Sequence, residues 1–109
     1  MKFSEYQERS RKTAIYPDAG HNFTYPALGL AGEAGEVSNK VKKILRDHAG
    51  TMTPEHVAEI QKELGDVLWY VAQLATEFGV DLDEIALQNV LKLESRLARN
   101  VLQGSGDNR

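Results

Sequence analysis

The sequence predicts an all-α fold, a four-helix bundle, and three observations carry that expectation. Apolar residues recur at helical spacing in four segments, and none of these alternates in the manner of a half-buried strand. Start and stop signals bound the segments, with Thr53-Pro54-Glu55 opening one, Gly79 closing it and Asp81 opening the next. The run from Val67 through Ala75 is apolar almost all the way round, which marks a helix buried on every side.

Taken in order, the first helix is expected from about Ser4 to Ala14, where Ser4 and Gln7 have capping-box spacing. Pro17 and Gly20 then break the pattern, so Ile15 to Thr24 reads as a loop. It holds Tyr16, His21, Asn22 and Phe23, residue types that contact ligands but also pack against bundles. The second helix is expected from Pro26 to Arg46, with Leu28, Val37, Val41, Ile44 and Leu45 at apolar positions. Lys42, Lys43 and Arg46 suit the negative pole at its end. Asp47 to Met52 is a short connection containing Gly50. Thr53 caps the third helix, Pro54 fits its first position, and the helix runs to Phe78. The fourth opens at Asp81 or Asp83, with Asp81 and Glu84 at capping-box spacing and Ile85, Val90, Leu93, Leu97 and Val101 as its apolar stripe. Residues 1–103 form one expected domain, and the Gly- and Ser-containing tail at 104–109 is expected to be flexible.

Length and charge narrow the function. A chain of 109 residues suits a single domain. One chain with four helices covers the all-round apolar Val67–Ala75 segment poorly, so a second copy is expected on it, as a homodimer or homotetramer. The net charge of -3, without a block of basic residues, argues against a nucleic-acid polymer as partner. The chain has no cysteine, which removes disulfides, thiolate nucleophiles and thiolate metal sites. The N-terminus lacks an apolar signal core and no apolar run is long enough to span a bilayer, so the expected setting is cytoplasmic, away from membranes.

The chemistry is carried by carboxylates. Glu33 and Glu36 lie three apart on the second helix, and Glu63 and Asp66 lie three apart on the third. That spacing puts both acids of a pair on one helix face. A short connection makes the two helices antiparallel neighbours, so the pairs can face each other. Each pair is embedded in Gly, Ala and Leu rather than on a polar face. Four carboxylates gathered in a partly buried place repel one another and resist desolvation, so a cation must compensate. Carboxylate oxygen favours magnesium, manganese or calcium. The competing reading is a set of solvated helix-face charges with local ion pairs, such as Glu36 with Lys40. Gly29, Gly32 and Gly35 recur at every third position of the second helix and point to a need for space, for a neighbouring helix or a ligand. A di-iron bundle would need Glu-x-x-His pairs, and the residues three before His21, His48 and His56 are Asp18, Leu45 and Thr53. Neither a Ser–His arrangement nor a phosphate-binding glycine loop of the Walker type is present.

The run Leu28-Gly29-Leu30-Ala31-Gly32-Glu33-Ala34-Gly35-Glu36-Val37, followed by Glu63-Leu64-Gly65-Asp66-Val67-Leu68-Trp69-Tyr70, resembles the MazG-like nucleotide pyrophosphohydrolases of the all-α NTP pyrophosphatase group. Asn89, Lys92 and Arg96 extend the resemblance as an N-x-x-K-x-x-x-R pattern, so that it covers roughly Tyr25 to Arg96. The short single-domain form is more similar to phage and bacterial versions than to the tandem two-domain one. The resemblance implies a helical bundle assembled at least as a dimer, often with sites near the subunit interface. It implies magnesium-dependent hydrolysis of a nucleoside triphosphate to monophosphate and pyrophosphate, with manganese as a substitute metal. Glu33, Glu36, Glu63 and Asp66 are then metal ligands, one of which instead positions the attacking water. Asn89, Lys92 and Arg96 contact phosphates, with Lys43 and Arg46 as weaker candidates. Trp69, Tyr25 or Phe23 would stack on the base. The non-enzymatic alternative is a helical nucleotide-binding or interaction module that has lost turnover, and the intact acid quartet speaks against it.

Overall fold

The computed structural model describes the whole chain, Met1 to Arg109. It has four helices and no strand: α1 (Phe3–Arg11), α2 (Thr24–His48), α3 (Pro54–Glu77) and α4 (Leu82–Ala98). The two long helices, α2 and α3, form the principal packing unit. Their antiparallel register is visible along the seam. The Tyr70 ring lies on Gly29, Lys40 meets Glu59 and Glu63, and the His48 and His56 rings sit 4.7 Å apart at the turn.

Local signals fix the helix ends. Thr53 is extended, and its hydroxyl accepts the His56 amide at 3.2 Å while His56 Nδ1 accepts the Thr53 amide at 3.2 Å. This is a capping box with histidine in the place usually held by Glu or Gln. Gly79 leaves α3 at a φ of 69°, a left-handed value that glycine adopts without penalty. The Asp81 carboxylate caps α4 by accepting the Asp83 amide at 2.8 Å, whereas Glu84 turns to Gln88 instead of completing a box.

The expected capping box of α1 is not formed. The helix starts one residue early, at Phe3, behind an uncapped Lys2. Gln7 serves a longer-range purpose: its amide nitrogen donates to Thr76 Oγ1 at 3.1 Å and to the Val80 carbonyl at 2.9 Å, and its oxygen accepts the Leu82 amide at 2.8 Å. One side chain thus ties α1 to the corner between α3 and α4, meeting backbone groups that helix ends leave unpaired. Further along, the fully buried Gln73 of α3 donates to Ser10 Oγ at 2.9 Å and accepts from Arg11 at 3.3 Å.

α4 rests on α1 and makes no substantial contact with α2 or α3. The chain is consequently open. Its radius of gyration is 16.8 Å, against about 13 Å for a compact domain of this length. Its accessible surface is 7788 Å², against about 6,000 Å² expected for a compact protein of its mass. Leu87, Val90, Leu91, Leu93 and Leu97 of α4 face solvent, as do Val41 and Leu45 of α2 and Val57 and Leu64 of α3. Within Val67–Ala75 only Ala72, Gln73 and Ala75 are buried, and the other six residues are half-covered. The tail at 104–109 lies back against the end of α4, where Arg96 Nη2 donates to the Asp107 carbonyl at 2.6 Å and Arg109 donates to the carbonyls of Val101 and Leu102. No helix is long and apolar enough to cross a membrane.

Candidate metal centre

The α2–α3 seam brings together three of the four acids singled out by spacing. One carboxylate oxygen each from Glu33, Glu63 and Asp66 lie within 4.8 Å of one another. Glu33 and Glu63 are half-buried and Asp66 is exposed. Glu36 stands one turn beyond Glu33, exposed and outside this convergence. Glu33 is half-covered where α2 meets α3, whereas Glu36 is left in solvent.

The electrostatics bear the mark of crowding. Burial pushes the Glu33 carboxyl above its ordinary value, and the neighbouring charges of Asp66, Glu63 and Glu36 push it further the same way. Tyr70 is raised by burial, by its interaction with Tyr25, and by Glu33 and Asp66. Tyr6 of α1 is raised by burial and by Asp66. Three convergent oxygens in a locally negative setting suit a hard divalent cation, whose oxygen distances are about 2.0–2.6 Å. The only salt-bridging cation at the cluster is Lys40, with Nζ 3.8 Å from Glu63 and 3.5 Å from Glu59. Lys40 therefore pairs across the seam rather than with Glu36 on its own helix.

Aromatic side chains flank the acids. Tyr16 stacks on Tyr25 with centroids 4.8 Å apart, Tyr25 approaches Tyr70 at 6.4 Å, and Tyr70 meets the Trp69 edge at 4.9 Å. Trp69 is committed to tertiary structure, since its indole nitrogen donates to Thr13 Oγ1 at 2.8 Å. Phe23 is stacked with Phe78 at 5.4 Å, in an exposed pair. Tyr25 is 43% exposed, with Tyr16 stacked on one face and the Tyr70 ring nearby.

The α4 residues are not brought to the carboxylates within one chain. Asn89 and Lys92 are exposed and line an open groove with Val80, Glu84, Ile85 and Gln88. Arg96 is buried and bonded to the Asp107 carbonyl. Arg46 chelates Asp47 at 2.7 and 2.9 Å, whereas Lys43 lines a cavity beside Lys40, His48, His56 and Glu59.

Spacing gave no sign of a buried ion network beside the site. The Glu77 side chain is only 1% exposed and accepts from the Tyr16 hydroxyl at 2.6 Å and the Gly20 amide at 2.9 Å, with Arg11 3.7 Å away. Burial alone would raise its pKa. The Tyr16 hydroxyl, the amides of Gly20 and Asn22 and the Arg11 charge together outweigh burial and hold it below the ordinary value. The network pins the 12–23 loop, and with it Tyr16 and Tyr25, against α3. The only signal in the sequence was Gln73, a lone polar residue inside the apolar run.

Comparison with known proteins agrees with this architecture. Residues 23–100 match the family model of the MazG nucleotide pyrophosphohydrolase domain. The chain is 53% identical over 114 residues to the gene 37 protein of Mycobacterium phage L5, with both chains covered in full. No solved structure matches it significantly.

Proposed function

Since the chain belongs to the MazG nucleotide pyrophosphohydrolase family, we propose that it hydrolyses a nucleoside or deoxynucleoside triphosphate between the α- and β-phosphorus, releasing the monophosphate and pyrophosphate. The observation that carries this reading is the convergence of Glu33, Glu63 and Asp66 oxygens within 4.8 Å. These three residues would hold magnesium, or manganese in its place, and Glu36 would join them or orient the attacking water. The bound ion supplies charge neutralisation for the phosphates and acidifies a water. The chain's own contribution is position: two helices hold the acids rigidly, and the Glu77 network holds Tyr25, the ring that would stack on the base.

Assembly belongs to the same proposal. The surface exceeds that of a compact chain by roughly 1,800 Å², which is in the range that one protomer buries in an obligate dimer. The exposed leucines of α4 and the apolar side of the α2–α3 pair supply that interface, as a homodimer or a pair of such dimers. Asn89 and Lys92 stand apart from the acids of their own chain and are exposed, so they reach a bound triphosphate from the α4 of a second copy, whereas Arg96 would join them only by leaving the Asp107 carbonyl.

The test is a screen of the common ribo- and deoxyribonucleoside triphosphates with magnesium, read by chromatography of the products, on wild type and on Glu63→Gln and Asp66→Asn. Monophosphate and pyrophosphate should form with the wild type and vanish with chelator or with either variant. Metal binding without turnover of any triphosphate would point to the silent nucleotide-binding module instead.

A further inference from the structure

Lys40 occupies an unusual place. It is the cation nearest the converging acids, and it holds Glu63, one of the three, together with Glu59 one turn away. Its side chain is one-third exposed, at 34%, so neither ion pair is strong. A divalent cation that takes Glu63 must displace this ammonium. On the side away from Glu33 the seam opens into a cavity of about 270 Å³ lined by Lys40, Lys43, His48, His56, Asp47 and Glu59. Asp47 there is already engaged by Arg46. His56 Nδ1 accepts the Thr53 amide, so in the neutral ring the proton sits on Nε2, a donor. Once Lys40 leaves Glu63, the donors bordering this cavity are Lys40, which still faces Glu59, Lys43 and the His48 and His56 imidazoles, a set suited to phosphate oxygens.

We propose that Lys40 is the resident counter-cation of the metal site: it neutralises Glu63 while no metal is bound, yields that carboxylate to the incoming divalent cation, and then binds the pyrophosphate portion of the nucleotide in the cavity it shares with Lys43. This role rests on the metal-dependent hydrolysis proposed above. Lysine suits it because a compact ammonium on a flexible stem can exchange partners, whereas an arginine would grip a carboxylate with two parallel hydrogen bonds and hold the site shut.

Calorimetric titration of the full chain with MnCl2, and then with pyrophosphate at saturating Mn2+, tests the proposal without any turnover. Lys40→Met should bind Mn2+ about fivefold more tightly than wild type, the affinity equivalent of one partly exposed ion pair removed from competition. The same variant should bind pyrophosphate about tenfold more weakly, as expected for the loss of a charge-assisted contact. Lys43→Met controls for general electrostatics and should leave Mn2+ affinity within about twofold. Circular dichroism melts, with Lys40→Gln as a second variant, establish that the fold is intact. Unchanged or weaker Mn2+ binding in Lys40→Met, equal tightening in Lys43→Met, or unaltered pyrophosphate binding in Lys40→Met would overturn the role of Lys40 while leaving the metal site standing. A wild-type chain that binds no Mn2+ would overturn both.

Discussion

Replacing Gly29 by alanine probes how the site is held from behind. Gly29, Gly32 and Gly35 look equivalent along α2, but the fold gives them unequal surroundings. A Cβ on Gly29 would fall inside the Tyr70 ring, closer than the 3.0 Å that real Cβ atoms essentially never cross, whereas Gly32 and Gly35 have nothing within 4 Å. Alanine is favoured over glycine in a helix interior by about 0.8–1.0 kcal/mol, so Gly35→Ala should stabilise by about that amount. At Gly29 the same gain is opposed by overpacking, which typically costs about 1–3 kcal/mol. Tyr25 at 6.4 Å and Trp69 at 4.9 Å limit the retreat of the Tyr70 ring, so the upper part of that range applies. Gly29→Ala should therefore lose about 1–2 kcal/mol net. At about 4–8 °C per kcal/mol for a domain near this size, the two variants should melt roughly 10 °C or more apart. The assay is thermal denaturation followed by circular dichroism at one fixed protein concentration, since association shifts the midpoint. If Gly29→Ala melts above wild type together with Gly35→Ala, the ring contact is not the reason for glycine there.

Four further variants test other parts of the structure. Glu77→Ala should destabilise by about 2–4 kcal/mol in urea titrations, somewhat below the roughly 3–5 kcal/mol for breaking a fully buried pair because Arg11 is partly exposed; a loss below about 0.5 kcal/mol, typical of surface positions, would contradict the network. Glu77 has a lowered pKa, so its contribution is present above the ordinary value of 4.5 and is lost as pH falls through the folded value below it, and Glu77→Gln should flatten the wild-type loss of stability in that acid window. Leu97, 65% exposed on α4, should lie in the interface between copies, so Leu97→Glu should shift sedimentation from dimer or tetramer towards monomer at micromolar concentration; a wild type that is itself monomeric would refute the assembly. Ala49 holds a left-handed φ of 50° at the end of α2, and Ala49→Gly should raise the melting midpoint by a few degrees, equivalent to about 0.5–1 kcal/mol; a fall would show that this turn relaxes in solution.

The ends of α3 and the start of α4 were legible because they depend on local chemistry, whereas α1 ends at Arg11 instead of Ala14 and α2 spans Thr24–His48 instead of Pro26–Arg46. Thr53 before Pro54, Gly79 after Phe78, and Asp81 before Leu82 act through their own backbones, and the structure keeps each in that place. The acids were legible because spacing along a helix determines a face. Which faces meet is a tertiary matter, and there the sequence said less. Glu36 shares a motif with Glu33 yet stays outside the convergence, although Glu63 and Asp66 are separated by the same three-residue step and both join it. Arg96 shares a stripe with Lys92 yet turns inward, because the chain after α4 comes back to offer the Asp107 carbonyl. Gln7 and Glu77 bond to groups far away in sequence, and no spacing rule reaches across 75 or 61 residues. Lys40 had an acid four residues before it, but the acids of α3 hold it instead.

In the proposed reaction this carboxylate cluster directs water to the α-phosphorus of a nucleoside triphosphate. Hydrolysis in oxygen-18 water with magnesium, followed by mass spectrometry of the products, addresses it most directly. The proposed reaction places the label in the nucleoside monophosphate and leaves pyrophosphate unlabelled, with no diphosphate intermediate. Label confined to pyrophosphate would move the attack to the β-phosphorus, and label in single phosphate would contradict the proposed reaction itself.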